Sequence, residues 1–154
     1  MAVRKEYTED LEKLKDEVQR MGELAGESAK NTIKALAHRD TELASRILKE
    51  NAVIDELEFG IENRCMRLLA LQQPMASDLR TIGTCMKIIT DFDRISDLAG
   101  DIAGIVHRIG DEPFAKPLID VPRMSEIAQG MIADCIKAFS SGNIEILEDF
   151  PKLF

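Results

Sequence analysis

The chain has 154 residues, enough for one domain with a buried core. Its 28 acidic against 20 basic side chains leave a net charge of −8, which excludes a nucleic-acid binder of the usual kind, since such proteins displace phosphate counterions with cationic side chains. A hydrophobic content of 45% excludes a disordered chain, and the apolar residues are mainly Leu, Ile, Ala and Met, which favour an all-α protein.

The first helix is expected over residues 8–37, with Leu11, Leu14, Val18, Met21, Ala25, Ile33 and Leu36 on one stripe at spacings of three and four. His38-Arg39-Asp40 breaks it, and Asp40 is placed to cap the next helix. The second, over residues 41–71, carries Ile47, Ile54, Leu57, Ile61 and Leu68. Gln72-Gln73-Pro74 ends it, because proline disfavours α geometry in its predecessor. The third runs over residues 75–109 behind the stripe Leu79, Ile82, Met86 and Ile89, and Gly110 sits at its C-cap. A fourth starts near Asp120-Val121-Pro122, with Asp120 as cap, and ends at Ser140-Ser141-Gly142; a short helical piece over residues 143–150 follows. No segment alternates with period two, so no sheet is expected. Three long helices with short connections make an antiparallel bundle.

The chain also contains part of a second copy of itself. At an offset of 103, Glu23-Leu24-Ala25 falls on Glu126-Ile127-Ala128 and Ile33-Lys34-Ala35-Leu36 on Ile136-Lys137-Ala138-Phe139. The turn Asp40-Thr41-Glu42-Leu43 falls on Asn143-Ile144-Glu145-Ile146 without a gap. One packing unit is used twice, as residues 1–112 and an incomplete second unit at 113–154. Read this way the chain is shortened. The uncovered stripe of its fourth helix predicts a homodimer or higher oligomer.

The third helix holds the sharpest chemical feature. Asp93, Asp97 and Asp101, spaced four apart, form one column at the edge of the apolar stripe. Asp55, Glu58 and Glu62 line one face of the second helix, its antiparallel neighbour. Stacked like charges destabilise a helix, and a cation bridging hard oxygen ligands at turn spacing reverses that effect. The competing reading is a solvated acidic face, with Arg94 and Lys87 pairing with Asp97 and Asp91. Asp78 is a weaker candidate, facing the other end of the second helix. A ferritin-like centre requires Glu-x-x-His, but Gly104 and Ala35 precede His107 and His38 at that spacing. The histidines are expected to be exposed. No phosphate loop or nucleophile motif is present, so no enzyme is expected.

Cys65, Cys85 and Cys135 are far apart and odd in number, as reduced, buried thiols of a cytoplasmic protein. The opening Met1-Ala2-Val3-Arg4-Lys5-Glu6 lacks a signal-peptide core, and no apolar run approaches the ~20 residues of a membrane span.

Two motifs carry a family resemblance. Leu71-Gln72-Gln73-Pro74-Met75-Ala76-Ser77-Asp78-Leu79-Arg80 and Asp93-Arg94-Ile95-Ser96-Asp97-Leu98-Ala99, in this order and within a repeat of three-helix units, resemble the PhoU family, over residues 7–149. The resemblance implies a cytoplasmic regulator of phosphate uptake that acts by contact with a phosphate ABC transporter ATPase and a sensor histidine kinase. It also implies metal ions, as an iron or zinc cluster. Asp93 and Asp97 match the family's acidic motif, Asp101 lies one turn further, and Asp55, Glu58 and Glu62 fall on the acidic helix opposite. The second repeat's motif is absent, and Asp149-Phe150-Pro151-Lys152-Leu153-Phe154 departs from the pattern. The alternative reading is a helical oligomerisation module without metal; an oxygen-activating metal enzyme is a third, disfavoured for want of a placed imidazole.

Overall fold

A computed structural model describes residues 2–71 and 74–148. Four helices account for nearly all of them: α1 (Ala2–His38), α2 (Thr41–Leu71), α3 (Ala76–Ile109) and α4 (Asp120–Ser141). A single 3-10 turn, Ile144–Leu147, follows. No strand occurs among the described residues, and none of their helices is long and apolar enough to cross a membrane. The all-α expectation holds, with α2 bounded as the stripe predicts. Gln72, Gln73 and residues 149–154 lie outside the described residues.

The core follows the periodicity. Leu14, Val18 and Met21 of α1 meet Ile54, Ile61 and Cys65 of α2 and Ile82, Cys85 and Ile89 of α3, all essentially fully buried. A second cluster, Ala35, Leu43, Ala44, Ile47, Ala103 and Val106, closes the end near the α1–α2 turn. Helix α1 is the central element and packs against the other three. Gly22 permits this: a Cβ there would stand 2.7 Å from the Phe92 ring and 3.0 Å from Ile136, so α3 and α4 both approach α1 at this point. Thr32 Oγ1 donates to Ala99 O at 2.8 Å, a buried bond tying α1 to α3.

The turns explain the helix ends. Helix α1 closes in a Schellman motif, with Asp40 N–H bonding Ala35 O (2.9 Å) and Arg39 N–H bonding Leu36 O (3.2 Å). This places Arg39 at φ 53°, a left-handed conformation unusual for a residue with a side chain. Arg39 is held there by donating to Asp111 O at 2.9 Å and by stacking on Phe114, 5.1 Å from the ring centroid. Asp40 Oδ1 caps α2 by accepting from Leu43 N–H at 2.9 Å. At the offset of 103, Gly142 takes the place of Arg39 with φ 70°, and Asn143 takes the place of Asp40, its Oδ1 accepting from Glu145 N–H at 3.0 Å.

Several expectations need correction. Helix α1 starts at Ala2 rather than Thr8, because buried Tyr7 and Leu11 anchor its charged first turns. Asp120 is the first residue of α4, not its cap; Ile119 precedes the helix without a side-chain bond. The short helical piece is a 3-10 turn over Ile144–Leu147, and its expected last two residues lie outside the described ones. Leu79 is exposed although it shares the stripe of Ile82, which is fully buried, and Cys135 is only partly buried. All three cysteines are free thiols. Burial pushes the Cys65 and Cys85 thiols up to about 11 and about 12, which makes them poor nucleophiles.

Candidate metal centre

Helices α2 and α3 run antiparallel, so residues before and after their connection meet in pairs along the shared seam. Near the middle of that seam, carboxylate oxygens of Asp55, Asp93 and Asp97 lie within 4.8 Å of one another. Asp93 is half-buried; Asp55 and Asp97 are exposed. The i,i+4 spacing on α3 stacks Asp93 and Asp97, and the seam brings Asp55 up to both. Among the described residues this is the one place where three metal-ligating side chains converge, and no histidine or cysteine joins them.

The electrostatics extend the group to Glu58. Burial pushes its carboxyl above the ordinary range, and the charges of Asp93, Glu62, Asp55 and Asp97 push it further the same way. Asp93 is raised by burial first, then by the charges of Asp97 and Asp55 and a hydrogen bond with Asp55. Five carboxylates therefore act on one another across the seam. None of the ion pairs among the described residues involves them. The expected pairing of Arg94 and Lys87 with neighbouring acids is not formed.

Asp101 lies two turns beyond Asp93, about 12 Å along the helix, and the structure does not bring it into the three-carboxylate group. Glu58 and Glu62 sit beside the group rather than within it. Asp78 faces α1, not α2: its charge adds to burial in pushing the Tyr7 phenol up. Both histidines are exposed, as expected, His107 beside Ser45 and His38 against Lys34 O, and neither belongs to the converging group.

The donor set suits a cation. Three oxygens within 4.8 Å need only small rotamer adjustments to share a hard ion at ligand distances of about 2.0–2.6 Å. With only carboxylates, the site favours hard or borderline metals over soft ones.

Two residues next to this group escaped the sequence reading. Ser96, almost fully buried, donates through Oγ to Asn51 Oδ1 at 2.8 Å. Asn51 stands one turn before Asp55 and Ser96 directly before Asp97. The signal available was that Asn51 shares the column of Asp55, Glu58 and Glu62, but its role depends on the residue opposite.

The fold and site together define an all-α helical domain with an acidic seam between its second and third helices. The PhoU domain family matches this chain over residues 18–106, which span α1 from Val18 onward, all of α2 and nearly all of α3. A phosphate-specific transport system accessory protein PhoU homolog from Clostridium acetobutylicum is 36% identical over 92% of this chain and 65% of its own length. Its counterpart from Aquifex aeolicus is 38% identical over 84% of this chain and 59% of its own length. The crystal structure of the phosphate transport system regulatory protein PhoU from Streptococcus pneumoniae superposes with a TM-score of 0.82 at 29% identity, covering 95% of this chain and 70% of that one. The chain belongs to the PhoU domain family. It spans just under two thirds of the length of these curated relatives.

Proposed function

We propose that the chain regulates phosphate transport by protein contact and carries a metal ion or cluster on the α2–α3 seam. The carrying observation is the convergence of Asp55, Asp93 and Asp97 without a paired cation, inside the segment matched to the PhoU domain. Glu58 and Glu62 flank these ligands and supply further negative charge, and Asp101 extends the acidic face along α3. When bound, the metal neutralises the seam; iron and zinc are the ions the family resemblance favours. The chain's own residues supply the carboxylates, and none of the ion pairs among the described residues neutralises them. The partners proposed are a phosphate ABC transporter ATPase and a sensor histidine kinase, engaged without catalysis, in a cytoplasmic setting. A homodimer is the proposed form, supported by the exposed Ile119 and Met124 beside an apolar groove between α1, α3 and α4.

The test is elemental analysis of the purified protein after gel filtration without chelator, together with binding of the transporter ATPase. Stoichiometric iron or zinc, lost in Asp93→Asn/Asp97→Asn while the far-ultraviolet circular dichroism is unchanged, is the expected result. Metal content unaffected by the double substitution contradicts the site. A metal-loaded chain that fails to bind either partner contradicts the regulatory role.

A further inference from the structure

The close approach of Asp55 to Asp93 and Asp97 has to be held against their mutual repulsion, since none of the described ion pairs neutralises them. Apolar contacts between Ile54 and Ile89 favour burial but are non-directional, so they tolerate small slips along the seam. A slip of half a residue is about 0.75 Å along a helix, enough to spoil a ligand set whose own bonds are short. Directional restraint comes from the next turn. Ser96 Oγ donates to Asn51 Oδ1 at 2.8 Å, and the donor is almost fully sequestered from water. One turn further along α3, a Cβ on Gly100 would stand 2.5 Å from Asn51 Nδ2. A side chain at position 100 would displace the Asn51 amide, so glycine there leaves the amide its place against α3. The Ser96 bond and the Gly100 contact thus tie Asn51 to α3 one turn from the carboxylates.

We propose that Asn51, locked to Ser96 over the Gly100 backbone, is a positioning residue that sets the α2 carboxylates against those of α3 for metal binding. This rests on the metal reading given above. Asn51 supports the ligands without being one, in the manner of outer-shell groups whose loss lowers metal affinity by about 10- to 100-fold.

Two measurements on the full chain test it. Zinc affinity by calorimetry is compared for the wild type, Asn51→Ala, Ser96→Ala and the double variant, alongside thermal unfolding without metal. Each single substitution is expected to weaken zinc binding at least about tenfold, with the double variant no weaker than the worse single, because both remove one shared bond. Affinity within about twofold of wild type, with only the melting temperature lowered, overturns the proposal and leaves the bond a structural one. The second measurement needs no metal. With Asp55→Cys/Asp97→Cys, the yield of the 55–97 linkage formed by a short thiol-to-thiol cross-linker is read by peptide mass spectrometry. Asn51→Ala is expected to cut that yield severalfold, and an unchanged yield overturns the proposal. A wild type that takes up no zinc but whose cross-link depends on Asn51 supports the positioning role and refutes the metal reading alone.

Discussion

Helix α2 meets its neighbours on two flanks, and the two flanks treat charge in opposite ways. Toward α1, Arg64 is clamped by Glu17 through Nε and Nη2, both at 2.9 Å, and reaches Asp10 at 3.5 Å, while Arg67 holds Asp10 at 3.0 Å. The bidentate bond to Glu17 raises the Arg64 guanidinium and secures its charge. Toward α3, the same helix presents Asp55, Glu58 and Glu62 to Asp93 and Asp97, acid against acid. The first flank is complete as it stands, and its charges are structural. The second sets like charge against like, a cost that the proposed cation would offset.

The largest expected effect breaks the complete flank. Arg64→Ala strands the partly buried carboxylate of Glu17 and leaves Asp10 to Arg67 alone, and denaturant unfolding should show a loss of about 2 kcal/mol. On the other flank, removing a charge should act with the opposite sign. Asp93→Asn relieves repulsion from Asp97, Asp55 and Glu58 and should stabilise the metal-free protein by about 1 kcal/mol, at a few tenths for each pair. The smallest effect is a pH dependence. Asp93 and Glu58 are raised in the folded state, so the native protein binds protons that the unfolded chain releases. Their contribution is fully present below the ordinary carboxylate range and fades as pH rises through their raised values. The metal-free melting temperature of the wild type should therefore climb, relative to Asp93→Asn, as pH falls from neutrality toward the ordinary carboxylate range.

Local features were legible in the sequence because they depend on near neighbours. The stripe from Leu11 to Ala25, the Asp40 cap and the Gly110 and Gly142 helix ends all rest on contacts within a few residues. The extension of α1 back to Ala2 carries no stripe signal, since the buried apolar repeat begins at Tyr7 and Leu11, although Arg4, Lys5 and Glu6 are good helix formers. The acidic site shows the same division. The i,i+4 column of Asp93 and Asp97 could be read directly. Which α2 acid completes it could not, because Asp55, Glu58 and Glu62 share a face and only the register with α3 selects Asp55. Asp101 stands apart because it lies two turns along α3 from Asp93, and the Asn51–Ser96 bond beside the group depends on which residue of α3 stands opposite Asn51.

On the proposed reading, the α2–α3 seam is destabilising until a cation occupies it. Thermal unfolding of the wild type and Asp93→Asn, each with chelator and with saturating zinc, tests this. A crossover is expected: the variant melts higher with chelator, and the wild type melts higher with zinc, since a ligand at about 100 times its Kd stabilises the native state by about 2.7 kcal/mol. The same order of melting temperatures in both conditions would contradict it.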